Sequence, residues 1–246
     1  MTDLLNIDVP NGVKITVIGD IHEHDKQFYE LIDLIKPGPD NIVVSVGDVY
    51  DKGFGVPVAE AITRTIKEFV DAGYGYIVQG NHEAKQIRRH IASGAKMSPE
   101  LQWLGSQPLG LSFVFSNGSR LTVVHGGVKP AHTWEDLRSN TDLLYIRTLD
   151  ESGEYIPLKW EDGALKPKQP GKLWHELYDG RFGYIASGHN AQKDGIPKFW
   201  KHSCNLDSAC YASGKLTAQV FGESGKKELI QISGPAANPE LTRPKK

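Results

Sequence analysis

"NIVVSVGDVYDKG" (residues 41–53) decides how this chain is read. Its first half is short, apolar and rich in β-branched residues, the composition of a buried strand. Directly after Gly47 come two acids three residues apart, Asp48 and Asp51, with Lys52 behind them. A buried strand that ends in acids and a cation is delivering chemistry at its carboxyl end. The same arrangement recurs along the chain. "VKITVIG" (13–19) runs into Asp20 and His22, and "YGYIVQG" (74–80) into Asn81 and His82. "SRLTVVHG" (119–126) carries His125, and "FGYIASGH" (182–189) ends in His189. Glycine stands before several of these residues (Gly19, Gly47, Gly80, Gly188), as a sharp strand-to-loop turn around a bulky site requires.

Between the first three strands the hydrophobic period changes to that of a helix. Phe28, Leu31, Ile32 and Ile35 form one face, closed by Pro37-Gly38-Pro39. Pro57 opens a second helix with Ile62, Ile66, Phe69 and Val70 on its face and Gly73 at its end. A third begins near Glu83, packs on Ile87 and Ile91, and stops at Gly94. Strands separated by helices of this length predict an α/β fold with a largely parallel central sheet. In such a sheet, adjacent strands release their loops on one edge, so residues remote in sequence meet there.

Beyond residue 195 the texture becomes that of an antiparallel meander: "KFWKHSCNL", "ACYAS", "KLTAQVF" and "KELIQIS". It is expected to form a second sheet on the first within one domain, residues 1–233. Residues 150–181 are polar, rich in Pro and Gly and without a sustained period, and read as an irregular insertion serving as a lid or binding loop. Within it Trp160, Trp174, Tyr178 and Arg181 are expected to anchor the loop; holding a base or peptide is the alternative. The tail, 234–246, holds three prolines and is expected to be disordered.

Bulk properties narrow the function. A net charge of −2 over 246 residues gives no whole-molecule argument for nucleic acid or membrane as partner, and no apolar run reaches the length of a membrane span. Cys204 and Cys210 could face each other across a hairpin; two free thiols of a reducing cytoplasm is the reading adopted. No stable partner is implied. The donors at the strand ends are carboxylate, amide and imidazole without thiolate. That set suits Mn, Fe, Zn or Ni better than a Ca or Mg cage, and a shared carboxylate such as Asp48 can bridge two ions about 3.5–4 Å apart. His90, His132, His175 and His202 lie outside the pattern and are assigned to packing or surface roles.

"GDIH", "GDVYDKG", "GNHE", "HGG" and "SGH", in this order, resemble the motif set of the calcineurin-like metallophosphoesterases, most closely their phosphoprotein-phosphatase branch. "NLDSACYASGKLTA" (205–218) is similar to the corresponding stretch of small bacterial and phage members, which include diadenosine tetraphosphate hydrolases, Ser/Thr phosphatases and polynucleotide-repair phosphatases. The resemblance spans roughly residues 13–220. It implies a two-sheet α/β/β/α sandwich and two divalent transition-metal ions, with Mn taken as the ion in use. Asp20, His22 and Asp48 would hold one, and Asp48, Asn81, His125 and His189 the other. His82, oriented by Asp51, would be the catalytic imidazole rather than a ligand, and Asp207 a partner of His189 or His22. The implied reaction is hydrolysis of a phosphomonoester by direct attack of metal-bound water, without a phospho-enzyme.

Two positions depart from the family pattern. Glu23 replaces the glycine after the first histidine, and Lys52 the arginine of GDxxDRG. A lysine offers a point charge where arginine offers a planar fork. Lys52 is therefore expected to bind phosphate together with Asn81 and with a second cation, Arg147 first and Arg88 or Arg89 next. Glu23 is expected at the mouth, repelling dianions. A Ser/Thr protein phosphatase-like enzyme is the leading reading, ahead of a nucleotide, diadenosine polyphosphate or polynucleotide 2′,3′-phosphatase. A catalytically inactive binding module is the rival from another class, favoured only by Glu23 and Lys52.

Overall fold

A computed structural model describes residues 6–161 and 164–242. The chain runs β1 (Asn6–Val9), β2 (Lys14–Ile18), α1 (Asp25–Ile35), β3 (Asn41–Ser45), α2 (Val56–Asp71), β4 (Gly75–Ile77), α3 (Asn81–Ser93) and α4 (Pro99–Gly105). Then follow β5 (Gly110–Phe115), β6 (Arg120–Val124), α5 (Asp136–Ser139), β7 (Thr148–Leu149), β8 (Leu158–Glu161), β9 (Ala164–Pro167) and β10 (Lys172–Leu173). The last part comprises α6 (Trp174–Leu177), β11 (Tyr184–Ser187), β12 (Lys198–Phe199), β13 (Ser203–Asn205), α7 (Cys210–Ser213), β14 (Lys215–Gly222) and β15 (Gly225–Ser233).

Two sheets form the middle layers. One has the order β15-β14-β2-β3-β4, the other β1-β5-β6-β11-β13-β12. Alternation along each strand explains the layering. Ile15 and Val17 of β2 and Ile42 and Val44 of β3 point inward, where they meet Leu111, Phe113, Leu121, Val123 and Ala186 of the other sheet. Ile18 and Val43 point the other way, onto Phe28, Leu31, Ile62 and Ile66 of α1 and α2. Outside the second sheet, Ile185 packs with Leu137, Leu143, Leu144 and Trp174. The result is the α/β/β/α sandwich that the resemblance implies.

The partition of strands differs from the sequence expectation. The meander after residue 195 is not a sheet of its own. β14 pairs antiparallel with β2, extending the first sheet, while β13 pairs parallel with β11 in the second. "ACYAS" contains the short helix α7 rather than a strand. β6 and β11 belong to the second sheet, together with β1 and β5, which the sequence reading did not assign. The crossover between sheets passes directly over the end of β2: a Cβ on Gly19 would collide with the Leu206 carbonyl oxygen. Ile91, expected on the packing face of α3, is 68% exposed, whereas Ile87 one turn earlier packs against the cluster of α1, α2 and α4. The insertion pairs β8 with β9 and β7 with β10, so it carries short hairpin structure. Trp174, Tyr178 and Arg181 are anchors there: the indole is buried, Tyr178 Oη donates to Gly183 O, and Arg181 pairs with Asp179. The Trp160 side chain lies outside the described residues. Residues 234–242 are tied down rather than loose, through Gln27 Nε2 to Pro235 O and Asn238 N to Tyr211 O; residues 243–246 lie outside the described part. Cys204 and Cys210 are free thiols in separate clusters.

Phe113, fully buried between the sheets with its ring edge-on to Tyr76, reports on the inter-sheet core. Phe113→Ala is expected to lower unfolding free energy by about 3–5 kcal/mol in urea titration.

Candidate metal centre

Every strand end singled out by sequence delivers its residue to one edge of the sandwich, although β2 and β3 lie in one sheet and β6 and β11 in the other. Asp48 is the meeting point. Its carboxylate lies 3.7 Å from His22 Nε2, 3.9 Å from His82 Nε2 and 3.3 Å from His125 Nε2. Asp20 lies 3.8 Å from His22 Nε2 and receives the backbone N–H of His189. Asn81 Oδ1 is 2.9 Å from His125 Nε2 and 2.7 Å from His189 Nδ1. Asp20, His22, Asp48, His125 and His189 are all buried, and His82 and Asn81 are half-buried at the opening.

The backbone is bent to achieve this. His22, Glu23, Asp48, Asp51, Lys52 and His189 all have positive φ, between 48° and 70°. Each such conformation costs a non-glycine residue about 1 kcal/mol or more, and such strain concentrates where surrounding contacts over-determine it. Glu83 supplies much of that restraint. Fully buried, its carboxylate accepts the N–H groups of Asp48 (3.0 Å), Val49 (2.7 Å), Tyr50 (3.1 Å) and Gly80 (3.0 Å). The sequence reading took Glu83 only as a helix start. A glutamate three positions after the residue that precedes a helix can reach back to that residue's N–H, which is half of a capping box, and that is the signal the sequence offers. Gly188 is required for a different reason: a Cβ there would run into Asp20 Oδ1.

The donor chemistry fits divalent ions. His22 Nδ1 lies 3.1 Å from Tyr50 O and His125 Nδ1 2.8 Å from Val46 O. Both Nδ1 atoms face a carbonyl and donate, which turns Nε2 of each ring toward the Asp48 carboxylate. Burial acts to lower His125, but Asp48 outweighs it and raises that imidazole above its ordinary value. A backbone partner for the far ring nitrogen is the usual support of a ligating histidine, and it turns the other nitrogen into the site. Two groups, His22-Asp48-His82 and Asp20-Asp48-His125, each bring ligand atoms within 4.8 Å of one another. Burial and the neighbouring Asp207 and Asp48 push Asp20 well above the usual carboxylate range. Burial also acts to raise Asp48, but the imidazoles of His125, His82 and His22 outweigh it and hold the group well below its ordinary value. Burial, then Lys52 for His22 and Arg147 for His189, push both imidazoles well down, toward the neutral form that ligates.

His82 stands at the rim with Nδ1 2.7 Å from Asp51 Oδ2, and Asp51 is further held by Lys85 at 2.8 Å and by Gln86. Burial opposes these contacts, yet they hold Asp51 ionised far below the usual range. Lys52 Nζ is 3.0 Å from His22 Nε2, and Arg147 Nη2 donates to His189 O at 3.0 Å. Arg88 is turned aside, bonded to Tyr145 Oη, and Arg89 is exposed. Asp207 is buried but bonds neither histidine: Oδ1 accepts Ala209 N, and the carboxyl interacts with Asp20 instead. Glu23, expected at the mouth, is 4% exposed and turned into the protein, its charge taken up by backbone N–H groups. His175, stacked between Trp174 and Trp200, is a packing residue as expected.

A family model described as calcineurin-like phosphoesterase matches residues 13–207. The chain belongs to that family. It is therefore an enzyme of the metal-dependent phosphoester hydrolases, and the inactive module finds no support. Relatives of this phosphoesterase include a bis(5′-nucleosyl)-tetraphosphatase [asymmetrical] of Oceanobacillus iheyensis, 25% identical, over 90% of this chain and 92% of that protein. Serine/threonine-protein phosphatase ppe1 of Schizosaccharomyces pombe is 24% identical over 96% of this chain and 84% of its own length. Serine/threonine-protein phosphatase 5 of Arabidopsis thaliana reaches 32% identity over 68% of the chain, covering 32% of that longer protein. In fold, the phosphoesterase is similar to a putative diadenosine tetraphosphatase, with TM-score 0.68 and 20% identity over 94% of this chain and 98% of the other. No helix among the described residues is long and apolar enough to cross a membrane.

Gly188→Ala is expected to displace Asp20 and weaken Mn²⁺ binding by about 10- to 100-fold in calorimetric titration, the range for disturbed support of a ligand.

Proposed function

We propose that this phosphoesterase hydrolyses phosphomonoesters at a dinuclear centre, with phosphoserine or phosphothreonine proteins as the leading substrate class. The convergence of three imidazoles on the Asp48 carboxylate carries the reading. Asp20, His22 and Asp48 would hold one ion, and Asp48, Asn81, His125 and His189 the other. Bound there, two divalent ions, Mn first with Fe, Zn or Ni as alternatives, would lower the pKa of water to about 7 and draw charge from the phosphoryl oxygens.

The chain's own residues do the rest. Asp51 fixes the His82 ring through Nδ1, which leaves Nε2 to pass its proton to the departing alkoxide. Lys52 and Arg147 meet the phosphate oxygens, Arg147 retaining a buried Nε without a partner. Asn81 serves the same oxygens from the head of α3. Beside the site lies a cavity of about 570 Å³, largely apolar, with Tyr145 and Arg88 among its lining residues. It adjoins the centre because Tyr145 O contacts His189 Nε2 at 3.2 Å. Such a groove suits a substrate larger than its phosphate. We read residues 1–233 as one domain with 150–181 as an insertion, in a reducing cytoplasm where the two thiols stay free.

The second reading, hydrolysis of a dinucleoside polyphosphate or another nucleotide, is favoured by the Oceanobacillus relative, which matches end to end and is named for that activity.

With Mn²⁺ added, p-nitrophenyl phosphate turnover is expected. His82→Ala should cut kcat by about 10²–10⁴-fold, with metal content unchanged by elemental analysis. A folded wild-type protein inert with every divalent ion would overturn the reading. Tyr145→Ala should raise KM about tenfold for the physiological class, leaving p-nitrophenyl phosphate within about twofold. A panel of phosphopeptide, dinucleoside tetraphosphate and 3′-phosphorylated oligonucleotide shows which substrate responds.

A further inference from the structure

We propose that Glu23 is a positioning residue for the lysine at position 52: it clamps the loop 51–55 and so aims Lys52 at the substrate phosphate. The inference rests on the reading that Lys52 meets that phosphate. Lysine presents its charge on a flexible four-carbon stem, so its orientation must come from elsewhere. Here three restraints converge on it. The Glu23 carboxylate accepts the N–H of Asp51 at 2.9 Å with Oε1, and those of Gly53 at 3.1 Å and Gly55 at 3.0 Å with Oε2. The Glu23 carbonyl takes the Phe54 N–H at 3.3 Å. With the side chain 4% exposed, a charged acceptor satisfied by three backbone donors makes a stiff clamp.

The second restraint is Tyr211, whose ring lies 4.7 Å from the Lys52 ammonium and edge-on to His22. The third comes from the chain's end. Asn238 Nδ2 donates to Lys52 O at 2.7 Å, and its own N–H bonds Tyr211 O at 2.7 Å, so one residue ties the loop to the ring beneath the lysine. Asn238 lies beyond the residues that the family model matches. The restraint is needed because Asp51 and Lys52 both hold positive φ, 68° and 70°. Gly53 must stay a glycine, since a Cβ would strike the His22 carbonyl oxygen. A glycine at position 23 would leave those three N–H groups to solvent.

The test compares Glu23→Ala, Asn238→Ala and Tyr211→Leu in the Mn-loaded enzyme. It uses calorimetry with inorganic phosphate, steady-state kinetics on p-nitrophenyl phosphate, and amide hydrogen exchange. For Glu23→Ala, phosphate Kd and KM are expected to rise about tenfold, the loss of a charge-assisted bond network, with kcat moving less. Exchange at Asp51, Gly53 and Gly55 should accelerate while Mn content holds. In a Lys52→Ala background the same substitution should change Kd by less than about twofold, as coupling through Lys52 requires. Asn238→Ala should act in the same direction by about threefold. Wild-type exchange and phosphate affinity in Glu23→Ala would overturn the proposal, and so would an equal loss with and without Lys52. If Glu23→Ala does not fold, wild-type phosphate affinity in both Asn238→Ala and Tyr211→Leu overturns it. A wild-type enzyme without turnover would remove the functional reading alone, since amide exchange still decides the clamp.

Discussion

The structure depends on how an anion is kept at the centre of a protein. The Asp48 carboxylate is 1% exposed, and burial of an isolated charge on that scale is prohibitive. What makes it tolerable is the ring of imidazoles around it, while the Glu83 carboxylate behind it gathers the N–H groups of residues 48–50 and fixes the loop. Glu83 is pushed up by burial and by Asp48 itself, so the two acids oppose one another across the loop they share. The arrangement gathers carboxylates and imidazoles as the divalent ions of this family require.

The site was legible in sequence to the degree that it is local. Each strand end announces itself within a few residues: an apolar run, a glycine, then Asp, Asn or His. The sheet edge brings these together whatever the order of strands. The allocation of strands was not legible, because it depends on pairings between distant segments, such as Ala218 with Ile18. Alternation says which face of a strand is buried but not which sheet it joins. Glu23 was misread for a related reason. Its direction is set by a left-handed turn with φ 60°, which a non-glycine residue gives no cause to expect. Ile91 satisfies the helical period, yet it lies one turn beyond Ile87, the last residue of that face that packs on the core.

The two departures from the family pattern explain one another. Taken singly, Lys52 weakens phosphate recognition and Glu23 adds a negative charge beside it. In three dimensions the glutamate faces away from the opening and spends its charge on the loop that carries the lysine. Residues that depart from a motif are then better judged in pairs, by what they touch.

The place of β2 in its sheet has a consequence for synthesis. β2 is laid down early but is flanked by β3 on one side and by β14, some 200 positions later, on the other. Until that late strand leaves the ribosome, β2 presents an open hydrogen-bonding edge. The first sheet can therefore be completed only after β14 has emerged, and its closing pairing spans most of the chain, the long-range kind that folds slowly.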